Sequence, residues 1–269
     1  MKERTFNSIG FIGCGNMGGA LLAGLCQKFS QQYKFLAYVR NPKQFGLLED
    51  LGVERCQSAS ELALASDLVV IGVKPYQMKD LVGEISQSLA KDTILLSIAA
   101  GISLDALRSY GANCQLVRCM PNTPAKVAKG VFAFAFDESI KEDLQAKIFD
   151  LFSGVGECFK MGEDKFPAFS ALVGAGPAYV FAMMQALVQA GVTLGFGHSE
   201  ARSMVEGLFE GSAIMAKLSS DHLMALRDQV LSPAGLTIFG TNTLDRAGLT
   251  GILVDGVLAA YERGKAMEG

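Results

Sequence analysis

Histidine is scarce in this chain. His198 and His222 are its two copies, too few and too separated to build a metal cluster, so no metal site is expected. Paired cysteine motifs are missing as well: the six cysteines (Cys14, Cys26, Cys56, Cys114, Cys119 and Cys158) lie singly in apolar runs, with no Cys-x-x-Cys. That spacing excludes a zinc site and a disulfide framework and predicts reduced, buried thiols in a cytoplasmic protein. There is no surplus of positive charge. Lys and Arg number 24 against 27 Asp and Glu, a formal net charge of −3, which leaves no electrostatic case for nucleic acid or an anionic membrane. Met1 to Phe6 is charged rather than apolar, so no secretory signal is expected. Charge of either sign is absent from Phe166 to Gly197, the pattern of a membrane span. Pro177, Gln185, Gln189, the glycines at 174, 176, 191, 195 and 197, and the lack of flanking basic clusters favour instead a helix buried in a protein or a subunit interface.

Apolar residues make up 50% of the 269 positions and glycine contributes 30, enough for a sizeable core with close helix packing. Ser8 to Gly13, a short apolar run ending in glycine, reads as a strand, Gly13-Cys14-Gly15-Asn16-Met17-Gly18 as a glycine turn, and Ala20 to Phe29 as a helix. In a G-x-G-x-x-G turn so placed, the first glycine permits the bend, the second lets a pyrophosphate reach the backbone, and the third lets helix and strand pack closely. Phe35 to Val39 reads as the second strand, and Arg40, Asn41 and Lys43 follow where a site selecting NAD carries an acidic residue. A guanidinium pairs with a 2′-phosphate that a carboxylate would repel, so NADPH is the expected cofactor, with NADH admitted as a substitute.

The alternation continues. Asp67–Val73, Thr93–Ile98 and Gln115–Cys119 read as parallel strands, Gln77–Leu89 as a helix, and Val131–Phe136 as an edge strand. Their tails, Val73-Lys74-Pro75, Ala99-Ala100-Gly101 and Met120-Pro121-Asn122, fall at the strand ends where an open parallel sheet binds its ligands, a shelf for the nicotinamide. Ser139-Ile-Lys-Glu142 has the form of a capping box opening a helix with Ile140, Leu144, Ile148, Leu151 and Phe152 on one face. After Met161 strand-like runs stop, and helices are expected over 177–194, 200–218, 221–230, 236–246 and 250–267. The boundary is placed near Gly162, dividing the chain into residues 1–161 and 162–269. A helical domain this small, with one helix apolar all round, cannot cover itself, and a dimer with interlocked helices solves that problem. Within it, Ser232 suits an N-cap and Pro233 a first helical turn, Gly235 permits close approach, and the free amides of such a helix start receive a carboxylate.

Taken together, Phe11-Ile-Gly-Cys-Gly-Asn-Met17, Val73-Lys-Pro75, Ser97-Ile-Ala-Ala-Gly-Ile102, Met120-Pro-Asn-Thr-Pro124, Gly174-Ala-Gly-Pro-Ala-Tyr179 and Asp228-Gln-Val-Leu-Ser-Pro-Ala-Gly-Leu-Thr237 resemble pyrroline-5-carboxylate reductases nearly end to end. The resemblance implies an α/β fold class: a Rossmann-type, mostly parallel sheet domain followed by an all-α dimerisation domain. It implies hydride transfer from NADPH to the C=N carbon of a cyclic imino acid, giving L-proline, in homodimers often assembled into decamers. Their active site lies between one subunit's nucleotide domain and helices of the partner. By the same resemblance, Gly13–Gly18 would hold the pyrophosphate, and Arg40 with Asn41 the 2′-phosphate. Val73, Lys74, Pro75, Ala99, Ala100, Gly101, Met120 and Asn122 would surround the nicotinamide riboside. Gly235, Leu236 and Thr237 would receive the substrate, Thr237 as the catalytic hydrogen-bonding group at the ring nitrogen, with Ser232 capping their helix and Glu163 lining the pocket. The chain departs from the family pattern at Val173 and Ala175, where serines are usual, at Ala234, where glycine is usual, and at Ala59, where asparagine is common. A β-hydroxyacid dehydrogenase would need a catalytic Lys on the first long helix of the second domain, and 166–197 contains none. A protein that senses NADP on a reductase scaffold would keep Arg40 and the glycine loop and lose the 232–237 segment, which is retained.

Overall fold

The structure, a computed structural model, describes residues 6–40 and 45–268. Among them, strands β1 (Ser8–Ile12), β2 (Lys34–Tyr38), β3 (Glu54–Arg55), β4 (Leu68–Ile71), β5 (Ile94–Ser97), β6 (Gln115–Met120), β7 (Gly130–Phe136) and β8 (Gly156–Lys160) form one sheet. Its order is β3-β2-β1-β4-β5-β6-β7-β8. The pairs up to β6 are parallel, β7 runs antiparallel to β6, and β8 lies parallel to β7. Strand order reverses between β1 and β4, which opens a crevice at their carboxyl ends.

Helices α1 (Asn16–Phe29), α2 (Gly46–Glu49), α3 (Ala59–Ala65), α4 (Met78–Ile85), α5 (Leu104–Ser109) and α6 (Glu142–Ser153) complete the layers. Side chains of a strand alternate between faces, so each central strand feeds two cores. Leu68 and Val70 of β4 pack with Leu21 and Leu25 of α1 and with Ile148 and Phe152 of α6. Val69 and Ile71 enter the opposite core with Leu62 of α3 and Met78, Leu81 and Val82 of α4. Burial on both faces is why β4 is apolar at every position, each such side chain contributing about 1.5–3 kcal/mol. Asp67 ties the entrances of β4 and β1: one carboxylate oxygen accepts from the Asn7 amide at 2.8 Å, the Ser8 amide at 2.9 Å and the Ser8 hydroxyl at 2.8 Å.

Three local expectations are corrected. Helix 77–89 is shorter, because α4 gives way at Ile85 to a 3-10 turn over Ser86–Ser88. The capping box at Ser139 does not form: α6 starts at Glu142 behind Lys141, and the Ser139 amide donates to Asp137 at 2.8 Å instead. Asp137, buried and ion-paired with Arg108, wins the local competition for that amide. Nor is β7 the edge. It lies between β6 and β8, and Phe132 and Phe134 stack edge-on against Phe152, at 5.6 and 5.1 Å between centroids.

Beyond β8 a 3-10 turn (Glu163–Lys165), α7 (Phe166–Phe169) and a π-turn (Ser170–Gly174) lay Phe166 and Phe169 against Ala133 and Ala135 of β7. Then follow α8 (Gly176–Thr193), α9 (His198–Leu218), α10 (Leu223–Asp228), α11 (Leu236–Arg246) and α12 (Leu249–Glu268). The chain packs as two compact units. One runs through Gly174 and takes back the chain from Tyr261; the other is the helical stretch Ala175–Ala260. The last strand ends at Lys160, two residues before Gly162, whereas packing divides the chain at Gly174. In the helical unit α8 and α9 close over Val188, Ala201 and Val205. Gly191 allows this approach, since a Cβ there would lie 2.9 Å from that of Ala201. Much of its remaining apolar surface is bare: Phe181 is 65% exposed, Leu208 56% and Ile252 65%. The helical run Glu163–Thr193 is long and apolar enough to cross a membrane by length and composition, with mean hydropathy 1.6 over its most apolar window.

Candidate active site

The glycine turn between β1 and α1 divides its labour physically. Gly13 sits at φ +87°, a conformation side chains disfavour, while its amide donates to the Tyr38 carbonyl at 3.1 Å. Gly18 packs the helix on the turn so tightly that a Cβ would lie 2.3 Å from the Gly13 carbonyl oxygen. Gly15 faces open space, with no atom within 4 Å of where its Cβ would be. It is also the N-cap of α1 and offers no side-chain cap, so the amides of Asn16, Met17 and Gly18 in the first turn have no intrahelical acceptor. That is an anion site with an open door. Cys14 adds no charge to it: burial pushes its thiol up to about 12, so it stays neutral at physiological pH.

From this turn a cleft of about 210 Å³ extends past Tyr38, Val39 and Arg40 at the end of β2 and Gly72, Val73 and Lys74 after β4. Arg40 is exposed at its lip; Asn41 and Lys43 lie outside the described residues. Gln77 also lines the cleft and holds the Lys74 amide through its side chain at 3.2 Å, shaping the 3-10 turn that Pro75 opens. Gly72 is a further close-packed glycine, its would-be Cβ 2.6 Å from the Gly13 carbonyl oxygen. Neither Gln77 nor Gly72 was singled out from sequence, although a glycine at the carboxyl end of a central strand was a readable signal for the second.

The remaining shelf residues follow β5 and β6. Ala99 is buried with its amide on the Ser97 hydroxyl at 3.3 Å, Ala100 is exposed, and Gly101 turns the chain at φ +73°. Met120 ends β6, and the buried Asn122 is held by protein: its Oδ1 accepts from the Val131 amide at 2.9 Å and its Nδ2 donates to the Val173 carbonyl at 3.4 Å. Glu163 likewise has protein partners. Oε1 accepts from the Leu104 amide at 3.1 Å and from Nη1 of Arg118 at 2.9 Å, and Oε2 lies 3.3 Å from the same amide. Arg118 is buried over the Phe166 ring, its guanidinium carbon 4.3 Å from the centroid. Sequence reasoning passed over it, although a lone cation inside the apolar run of β6 was the signal.

In the helical unit, Ser232, Gly235, Leu236 and Thr237 are brought together, with one correction. Ser232 does not cap α11. The helix starts at Leu236 with Gly235 as N-cap, and Ser232-Pro233-Ala234-Gly235 is a β-turn closed by the Gly235 amide on the Ser232 carbonyl at 3.0 Å. Pro233 suits the second corner position, and Ala234 takes the left-handed φ of +56° that the third demands. A Cβ at Gly235 would meet the Ser232 hydroxyl, so a side chain there would force that hydroxyl to turn away. The first turn of α11 is therefore uncapped by any side chain, with the Thr237 hydroxyl one residue inside it.

A doubly wound sheet with an anion-ready glycine turn, a cation at the end of its second strand and a separate helical unit defines a pyridine-dinucleotide oxidoreductase. Residues 8–101 match the family model described as NADP oxidoreductase, coenzyme F420-dependent, and residues 163–267 that described as pyrroline-5-carboxylate reductase dimerisation. The pyrroline-5-carboxylate reductase of Pisum sativum is 33% identical over 261 residues, covering 97% of this chain and 96% of its own. The structure of a pyrroline-5-carboxylate reductase from Coxiella burnetii superposes with a TM-score of 0.90 at 29% identity, over 99% of this chain and 100% of that one. That of Plasmodium falciparum pyrroline carboxylate reductase, solved with NADP bound, gives 0.87 at 28% identity over 98% of each. The chain belongs to the pyrroline-5-carboxylate reductase family.

Proposed function

We propose that this protein reduces 1-pyrroline-5-carboxylate to L-proline with NADPH, with NADH as a weaker alternative donor. The observation that carries the substrate is the start of α11: uncapped amides behind a tight turn, with the Thr237 hydroxyl beside them, suit a small ring bearing a carboxylate and a nitrogen. The cleft fits the cofactor, because Gly15 leaves open space where the backbone must meet a pyrophosphate, and Gly13 and Gly18 accept no larger residue. In this reading Gly13–Gly18 hold the pyrophosphate, and Arg40 with Asn41 holds the 2′-phosphate. Val73, Lys74, Pro75, Ala99, Ala100, Gly101, Met120 and Asn122 form the wall around the nicotinamide riboside. Bound there, the cofactor supplies the hydride. The protein supplies position: the α11 amides fix the carboxylate, and Thr237 orients the ring nitrogen.

A protonated imine accepts hydride readily, so the site needs no strong side-chain acid. His222 instead accepts from the Met224 amide at the start of α10, and His198 is the first residue of α9, facing Gln185 of α8 and Arg202 across a small pocket. The bare apolar faces of the helical unit are covered in this reading by a second copy of the chain rather than by lipid, in a cytoplasmic homodimer open to assembly into a decamer.

The test is loss of NADPH absorbance with 1-pyrroline-5-carboxylate at neutral pH, beside NADH and an open-chain keto acid. Rapid imine-dependent oxidation that favours NADPH is the expected result. Oxidation favouring NADH would remove Arg40 as the selector, and binding of NADPH without turnover would refute the substrate.

A further inference from the structure

Strand β6 is apolar except for Gln115 at its start and Arg118 at its middle, and an arginine buried there needs a reason. Its partner, Glu163, is the first residue of the segment that leads to the helical unit. The pair is weak evidence for stability as such, since well-packed apolar residues often replace buried ion pairs without loss. Nor is Glu163 needed to start α5, which already has a cap: the Ser103 hydroxyl accepts from the Ala106 amide at 3.1 Å. What the carboxylate does is join two backbone paths. Through both oxygens it takes the Leu104 amide, where the stretch Ala99–Ser103 ends, and through Arg118 it holds the strand that runs on to Met120 and Asn122. Ten residues after Glu163, in the π-turn, the Val173 carbonyl accepts from Nδ2 of Asn122 at 3.4 Å. Two of the three strand tails assigned to the nicotinamide are thus tied to a single segment, 163–173.

We propose that Glu163 is a positioning residue for the nicotinamide end of the cleft, acting through Leu104 and Arg118 rather than by touching substrate. This rests on the cofactor reading above. It assigns Glu163 no part at the adenosine end, where Arg40 and the glycine turn act.

The experiment compares affinities for NADPH and for 2′,5′-ADP, which lacks the nicotinamide, in the parent and in Glu163→Gln, with thermal unfolding and imine-dependent kinetics alongside. Glutamine keeps an oxygen that can accept but removes the carboxylate charge that Arg118 faces. The expected result is unchanged 2′,5′-ADP affinity with NADPH affinity or kcat lowered about 10- to 100-fold, the upper figure being the loss that a misplacement of about 1 Å causes. Should Glu163→Gln fail to fold, a second pair decides. Leu104→Pro removes the amide at a helix position that tolerates proline, and Leu104→Ala keeps the amide while losing a similar amount of side-chain packing. Only the proline variant should lose nicotinamide-dependent affinity. Equal behaviour of that pair, or parallel loss of NADPH and 2′,5′-ADP affinity in Glu163→Gln, overturns the proposal. So does a lowered unfolding temperature with unchanged NADPH affinity and kinetics. The binding arms do not use the imine, so a parent without turnover would refute the substrate and still test Glu163.

Discussion

Thr237 and Ala234 lie three residues apart and pose opposite problems. Thr237 carries a hydroxyl at the start of α11 that is not required for the helix itself, since the first turn begins at Gly235 and Leu236. Replacing it with alanine should therefore leave the unfolding temperature near that of the parent. Turnover should fall about 10- to 100-fold, the value of one hydrogen bond to a charged group, and Thr237→Ser should restore most of it. Steady-state kinetics on both variants measure this, and parent-like turnover in the alanine variant removes Thr237 from the reaction. Ala234 occupies a left-handed corner that glycine would enter without strain. That strain was hidden at the sequence level, where Ser232-Pro233 reads as a helix start. The β-turn forms through the Gly235 amide on the Ser232 carbonyl with Ala234 at positive φ, a closure over four residues that no single-residue propensity reports.

Elements were legible to the degree that their residues alternate or repeat. The spacing of apolar positions located α11 at Leu236–Arg246, and the unbroken apolar run marked β4 as central, since burial on both faces leaves no polar position. Strand β8 was missed because Gly156-Glu-Cys-Phe-Lys160 is largely exposed and carries two charges. The same exposure is why β7 was mistaken for the edge. The cofactor half of the site was legible because glycine spacing is dictated by close contacts, whereas the Arg118–Glu163 link joins residues 45 apart and has no local signature. Asp67 shows what a single side chain does between elements. Burial alone would raise its pKa, but the bonds from Asn7 and Ser8 outweigh it and hold the carboxyl below its ordinary value of 3.8. A depressed folded-state pKa means stability that is fully present above 3.8 and is lost as pH falls through the folded value. Denaturant unfolding of Asp67→Asn should show a deficit of about 1 kcal/mol at neutral pH that shrinks below pH 3.8, kept small by the exposure of the group. A deficit independent of pH would assign the loss to geometry rather than charge.

At the scale of the whole molecule, the sheet unit and the helical unit solve burial differently. The sheet unit closes its two cores between helices, with Phe11, Phe132, Phe134 and Phe152 fully buried. The helical unit has one small cluster, around Val188, Ala201 and Val205, and long apolar faces beside it. Exposed apolar surface of this extent is the mark of an interface that buries about 2,000 Å² or more in obligate dimers. If a second copy covers it, folding and association are one equilibrium, and the unfolding temperature rises with protein concentration. Sedimentation of the parent at micromolar concentration should give a dimer or a multiple of it. Phe181→Asp, on the bare face of α8, should shift that distribution towards monomer and lower the unfolding temperature. Leu64→Asp, at an equally exposed apolar position on α3 of the sheet unit (73% exposed against 65%), should do neither, which separates a specific interface from general surface apolarity. A monomeric parent with a concentration-independent transition would leave the helical faces to some other partner, and the apolar run through Glu163–Thr193 would then have to be tested against lipid vesicles.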